Sequence, residues 1–312
     1  MKKALILSGG GSRGSFQVGV WRYLQEKQWY PDMICGSSIG AINAVAIGSG
    51  MTVEQMINIW TASISGRNKI YRLQILRFIL NALLSRGWTP LMDTLPLKSM
   101  LQSAIDFNKL RKSRAEIIIS AVNLHTAAPE FFNQNEITID HVMASSAMPV
   151  IFEPYKIDGI PYWDGGIMAN VPLLPALFRG VDQIIVIFLS PVGHQSRLPE
   201  PKRTIDAGEH LLEQSLVSSY HTALITHRMC SEGVTELAQG SAYLRKKNIN
   251  RLLRNQPEHI FNDQTKHAPK IITIAPSKML GIPSLLNFSL KQAEALLDDG
   301  YNSARNQLKD IL

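Results

Sequence analysis

Asp32-Met33-Ile34-Cys35-Gly36-Ser37-Ser38-Ile39-Gly40-Ala41-Ile42 is the stretch that decides the fold. A short apolar run enters a turn of glycines and serines, and small, apolar residues follow. The pattern predicts a strand over 32–35, a tight turn, and a helix over 41–47. The turn has the form G-x-S-x-G, with Gly36 and Gly40 two residues either side of Ser38. A strand-to-helix turn this tight strains the serine backbone and leaves no room for side chains at the flanking positions. Ser38 would then project from the carboxyl edge of a sheet at a helix N-terminus, where amides and the helix dipole favour negative charge. Ser37 stands at the wrong offset for that role and reads as a turn residue.

The same grammar recurs upstream. Residues 3–8 read as a buried strand, Gly9-Gly10-Gly11-Ser12-Arg13-Gly14 as a glycine-rich turn, and 15–27 as a helix with Phe16, Gly19, Val20 and Leu24 on its inner face. Two strand–turn–helix units in fifty residues argue for a parallel α/β sheet. Downstream, strands are expected at 115–122, 130–132, 183–189 and 270–274, and a helix at 139–147. A hairpin is expected at Asp158-Gly159, and a last amphipathic helix at 290–308, capped by Ser289.

Consecutive glycines let the backbone approach a ligand and aim amides at an anion. Beside Ser38 the natural anion is the oxyanion of a tetrahedral acyl intermediate. The same turn also fits G-x-G-x-x-G, but dinucleotide binding wants an acidic residue at the end of the second strand. Here that strand ends in the serine turn, and Asp32 stands at its beginning. A P-loop is excluded for lack of Gly-Lys-Ser/Thr. Asp164-Gly165-Gly166, after the hairpin strand 160–163, is alone merely a turn; in combination it supplies a carboxylate that can take the serine proton. An aspartate is a weak base in water and becomes useful where a dry pocket raises its pKa. By chance the three motifs together would occur in roughly one chain in ten thousand.

At these residues the sequence resembles the patatin-like phospholipase family. The glycine turn at 9–14 is similar to that family's oxyanion loop, the turn at 36–40 to its serine elbow, and Asp164-Gly165-Gly166 to its aspartate motif, in the same order. Ala144-Ser145-Ser146-Ala147-Met148-Pro149 resembles a fourth block, A-S-x-A-x-P. The resemblance covers about 3–190. It implies a three-layer α/β/α fold with a mostly parallel central sheet, and hydrolysis of fatty-acyl esters without metal or organic cofactor. Carried over, Ser38 is the nucleophile and Asp164 the base. Gly9, Gly10, Gly11, Arg13 and Gly14 form the oxyanion loop, with Gly10, Gly11 and Arg13 contributing through backbone amides. For the Arg13 side chain, a structural ion pair and a catalytic role stay equally open. Gly36 and Gly40 shape the elbow, and Gly165 and Gly166 complete the aspartate motif.

The chain has 312 residues, 45% of them hydrophobic and 18% charged, ordinary for a globular protein with a substantial core. Residues 1–190 are expected to form the catalytic core, with a basic helical insertion at about 66–114. Residues 191–312 are expected to be an extension packing on it within the same domain. The net charge of +7 is local: ten basic residues between Gly66 and Arg114 face only Asp93 and Asp106, so the rest of the chain is slightly negative. A helix is expected at 70–86, read either as an interfacial lid meeting anionic lipid, at about 1 kcal/mol per cation, or as a core helix with a solvated stripe. Nucleic-acid binding lacks a motif and aromatic interleaving. Met1-Lys2-Lys3 and the apolar run after it stop at Ser8-Gly9, short of the roughly 7–15 residues of a signal-peptide core. Cys35 and Cys230 form no ligand or disulfide pattern, and a cytoplasmic setting is expected. Two other readings are carried: a Ser-His-Asp triad drawing on His194, His210, His221 or His227, and a non-catalytic module that binds anionic membranes. No metal site is expected, and the oligomeric state is left open.

Overall fold

Ala4, Leu5, Ile6 and Leu7 are all fully buried, as befits a strand covered on both faces. A computed structural model, which describes residues 1–63, 72–73, 92–191, 200–237 and 269–312, sets this strand, β1 (Lys3–Leu7), near the middle of an eight-stranded sheet. The order is β10-β9-β1-β2-β5-β8-β7, with β6 also on β5. The other strands are β2 (Met33–Ser37), β5 (Glu116–Asn123), β6 (Ala128–Asn133), β7 (Tyr155–Ile157), β8 (Ile160–Asp164), β9 (Gln183–Ile187) and β10 (Lys270–Ile274). From β10 to β5 every pairing is parallel. β6, β7 and β8 pair antiparallel. Asp158 (φ 49°) and Gly159 (φ 84°) turn the β7–β8 hairpin.

Side chains alternate along β1 and divide the core in two. Leu5 and Leu7 join the layer containing α1 (Ser15–Glu26), α2 (Ile39–Gly48), α3 (Val53–Asn58), α4 (Leu95–Ala104) and the C-terminal helix Leu290–Leu308. Ala4 and Ile6 join the opposite layer, containing the short helix Leu174–Phe178 and, through Tyr220 and Ala223, the long helix Thr204–Leu237. This is the expected α/β/α sandwich. The C-terminal segment takes part in it: β10 extends the parallel sheet, and Ser289 caps its helix by accepting from the Gln292 amide. Cys35 is a free thiol on β2, and burial pushes its pKa well up.

Element ends differ from expectation by up to two residues, and one segment differs in kind. The elbow helix begins at Ile39, two residues early, because the turn itself enters the helix. Within the segment read as a basic helical insertion, Arg72–Leu73 form a strand (β3) paired antiparallel to Met92–Asp93 (β4). The rest of the helix expected at 70–86 lies outside the described residues. Beyond β4, the described part of the insertion carries α4 and a one-turn helix, α5 (Phe107–Arg111). No helix among the described residues is long and apolar enough to cross a membrane.

Candidate active site

β2 delivers Ser38. Its backbone sits at φ 55°, ψ −125°, an unusual conformation for a residue with a side chain, and α2 starts at the next residue. Such conformations cost on the order of 1–3 kcal/mol and persist only where the surroundings impose them. Here they do. A methyl group on Gly36 would clash with the carbonyl of Gly40, and one on Gly40 with the carbonyl of Leu7. The chain can pass this point only with hydrogens there.

β8 delivers Asp164, and the way it does so explains how residues so far apart in sequence meet. β2 pairs with β5 in parallel as far as Ser37 opposite Ser120. β8 pairs with the next stretch of β5, beyond the end of β2 and running antiparallel, and ends with Asp164 opposite Ala121. The two strands therefore run toward each other along β5 and stop at neighbouring rungs. The Ser38 hydroxyl donates to Oδ2 of Asp164 at 2.6 Å, and the Gly166 amide donates to Oδ1 at 2.7 Å. Both residues are buried, Ser38 at 7% exposure and Asp164 at 3%. Burial pushes the Asp164 carboxyl up to about 6, against the opposing pull of the Ser38 and Gly166 donors.

The Ala144–Pro149 block braces both halves. Ser145 Oγ accepts from the Ser38 amide at 3.1 Å, and its carbonyl accepts from the Gly165 amide at 3.2 Å. The Ala147 carbonyl takes the Asp164 amide at 2.9 Å. One short stretch at the end of the helix Ile139–Ser145 and just beyond it thus holds the elbow and the aspartate turn at once.

The glycine turn lies against Ser38: a methyl group on Gly9 would come within 3.0 Å of the Ser38 Cβ. Asn170 pins the turn, accepting the Gly9 amide with its carbonyl at 3.1 Å and donating its side-chain amide to the Gly9 carbonyl at 3.4 Å. From below, Gln17 donates to the Ser8 carbonyl, and Asn43 donates to the Gly14 carbonyl and to Gln17. The amides of Gly10 and Gly11 have no protein acceptor among the described residues, and Gly11 stands at φ 56°. They are the donors free to meet an anion.

Arg13 requires a correction. Its amide donates to the Gly10 carbonyl at 3.3 Å, closing a 3₁₀ turn over Gly11–Gly14, so it is not a free oxyanion donor. Its side chain, fully buried, is in the structural ion pair that the sequence left open. Nη1 and Nη2 meet both oxygens of Glu213 at 3.1 and 2.8 Å, and Nε donates to Ser284 Oγ at 2.7 Å. The carbonyls of Leu189 and Gly281 take further bonds. Gly14 packs where a methyl group would strike Ile39.

His210, His221 and His227 ride on the helix Thr204–Leu237, and His194 lies outside the described residues. Among the described residues no histidine hydrogen-bonds Ser38 or Asp164.

The Patatin-like phospholipase family matches residues 5–177. A cGAMP-activated phospholipase of Vibrio cholerae serotype O1 is 31% identical over 200 residues, covering 54% of this chain and 55% of its own. One of Escherichia coli (strain TW11681) is 28% identical over 198 residues, covering 54% and 53%. This chain therefore spans about half the length of the curated relatives it matches. The crystal structure of VipD from Legionella pneumophila superposes with a TM-score of 0.50 at 16% identity, over 99% of this chain and 67% of that one, a likeness of fold alone. Since the family match extends through more than half of the chain and takes in the serine turn, the glycine turn and Asp164, this protein belongs to the patatin-like phospholipase family.

Proposed function

We propose that the protein hydrolyses acyl esters of lipids through a Ser38–Asp164 dyad, with Gly10 and Gly11 as oxyanion donors. The observation that carries this reading is the 2.6 Å bond from the strained Ser38 hydroxyl to a buried carboxylate whose pKa is raised to about 6. Ser38 Oγ attacks the ester carbonyl carbon as its proton passes to Asp164. The carbonyl oxygen becomes an oxyanion under the Gly10 and Gly11 amides. Collapse breaks the ester bond, and Asp164 returns the proton to the departing alkoxide. Asp164 then takes a proton from water, whose oxygen attacks the acyl-enzyme. The acid leaves and Ser38 Oγ recovers its proton. A base with a pKa near 6 is ionised at neutral pH yet basic enough to assist both attacks. Every group in the scheme comes from the chain, and none is a metal or an organic cofactor.

A lipid substrate is supported by family membership and by the apolar character of the catalytic edge. Ile167 and Met168, just beyond Asp164-Gly165, are 49% and 45% exposed, and Val150, three residues past Ala147, is 59% exposed. A lipid surface is the natural partner for such a rim. The described end of the basic segment does not share that edge. Lys109, Arg111, Lys112 and Arg114 are exposed but lead into the amino end of β5, while Ser38 stands at the carboxyl edge. Peripheral contact of the basic segment 66–114 with anionic membrane stays part of the proposal for its cations at 67–86. A hydrolysis panel of lipid classes on the purified protein, with Ser38→Ala as blank, tests the function. Labelling by an active-serine fluorophosphonate separates an enzyme from a non-catalytic membrane-binding module. Failure of Ser38 to label, together with no acyl release from any class, would refute the reading.

A further inference from the structure

The family match ends at residue 177, yet the glycine turn is gripped by residues far beyond it. A methyl group on Gly11 would strike the Leu285 carbonyl, so the 3₁₀ turn Ile282–Leu285 packs directly on the glycines. Ser12 Oγ, buried, donates to the Ser284 carbonyl at 2.5 Å. Gln292, in the first turn of the helix Leu290–Leu308, donates through Nε2 to Ser12 Oγ at 2.9 Å and to the Ser284 carbonyl at 2.8 Å. Asn287 sets the orientation of that side chain by donating to Gln292 Oε1 at 2.9 Å. Arg13 adds its bonds to Ser284 Oγ and the Gly281 carbonyl. Gly11, Ser12 and Arg13 thus all rest on residues 281–292.

Resting on the ester-hydrolase reading, we propose that Ser12, Ser284 and Gln292 are positioning residues that hold the Gly10 and Gly11 amides at the oxyanion. Segment 281–292 is then a working part of the active site. The argument lies in the tolerance of the chemistry. Oxyanion donors act at about 2.7–3.1 Å from the charged oxygen, and a displacement of about 1 Å can cost about a hundredfold in rate. Glycines are the residues least able to fix their own backbone, and Gly11 stands at φ 56°. Asn170 anchors one end of the turn, at Gly9, and the Ser12 bonds anchor the other, so both free donors lie between fixed points. Ser12 acts only through the backbone: its hydroxyl hydrogen goes to the Ser284 carbonyl and is not offered to substrate.

The test compares wild type with Ser12→Ala, Gln292→Leu and Asn287→Ala. Circular dichroism confirms folding, and fluorophosphonate titration counts active sites. An alkyl trifluoromethyl ketone serves as transition-state probe: Ser38 Oγ bonds to its carbonyl carbon, the serine proton passes to Asp164, and the ketone oxygen becomes an oxyanion. The matched alcohol forms no such adduct. Per active site, Ser12→Ala and Gln292→Leu should each lower kcat on p-nitrophenyl butyrate and affinity for the ketone by about tenfold. KM, affinity for the alcohol and the pH midpoint near 6 should not move. Asn287→Ala, at an exposed position, only frees the Gln292 amide to turn and should lose about threefold in ketone affinity. A clamp serving stability alone would lower melting and the count of active sites, leaving each remaining site with wild-type ketone affinity. Ketone affinity within about twofold of wild type in both Ser12→Ala and Gln292→Leu overturns the proposal. Should those two fail to fold, unchanged ketone affinity in Asn287→Ala overturns it. If wild type neither cleaves the ester nor binds the ketone more tightly than the alcohol, the hydrolase reading has failed, and the positioning role falls with it.

Discussion

Glu213 grips Arg13 with both carboxylate oxygens, at 2.8 and 3.1 Å, where the guanidinium has no exposure and the carboxylate almost none. The pair joins the glycine turn to the helix Thr204–Leu237 across the top of the sheet. Breaking a buried pair from one side leaves an uncompensated charge, at a cost of about 3–5 kcal/mol. Glu213→Ala should therefore lose that much in urea unfolding, whereas Glu213→Gln, which can still accept from Arg13, should lose less. Equal midpoints for Glu213→Ala and wild type would show that the pair carries no stability.

Asp164 can take the Ser38 proton only when ionised. With its carboxyl near 6, kcat/KM on a soluble ester should fall about tenfold per pH unit below 6 and reach a plateau above it. A profile flat from pH 5 to 8, or one with its midpoint at the ordinary carboxylate value, contradicts the assignment of the base.

The same shift predicts a stability effect of opposite sense. Folded Asp164 holds its proton up to about pH 6, while the unfolded chain releases it near 3.8. Between those values the folded state binds more protons, so stability declines as pH rises, by about 3 kcal/mol in total. Asp164→Asn removes the charge, and should be inactive yet more stable than wild type at pH 8, with the difference closing by pH 4. Denaturant titrations at both pH values decide it.

Ser38 stores strain at φ 55° that glycine would not feel. Ser38→Gly should raise stability by about 1 kcal/mol while abolishing turnover. Gly40→Ala, which forces a methyl group against the Leu7 carbonyl, should destabilise or prevent folding. A Ser38→Gly variant that melts below Ser38→Ala would mean the elbow is relaxed.

The exposed rim should matter for packed lipid more than for a dissolved ester. Replacing Ile167 and Met168 together by serine should lower the ratio of vesicle to monomeric-ester activity about tenfold, through loss of apolar surface at the interface. An unchanged ratio would detach the rim from lipid recognition.

The short-range turns were readable from residue order because they are written in local rules. Gly36, Ser38 and Gly40 satisfy a turn that only small flanking residues allow, and Asp158-Gly159 specifies its hairpin alone. Other features depend on registers that no local pattern encodes. Ser145 gives no sign that its hydroxyl and carbonyl will brace two different turns, because that depends on where its helix stops relative to β2 and β8. Asn170 and Glu213 carry no motif, and Arg13 could have paired with any of several carboxylates until the helix Thr204–Leu237 was placed. The expected amide of Arg13 was consumed by a 3₁₀ turn, which glycine spacing alone cannot distinguish from an open loop.

β2 and β8 advance from opposite directions along β5 and halt one rung apart. Under the proposed dyad, catalytic competence is therefore a proofreader of strand alignment. Sliding the hairpin by a single residue would turn its side chains to the opposite face and offer Ser38 either the indole of Trp163 or the bare backbone of Gly165. Such a mistake could leave helix content and compactness nearly intact. Turnover would thus report correct assembly of this sheet more sensitively than spectroscopy, and active molecules in a refolded sample would count the correctly threaded ones.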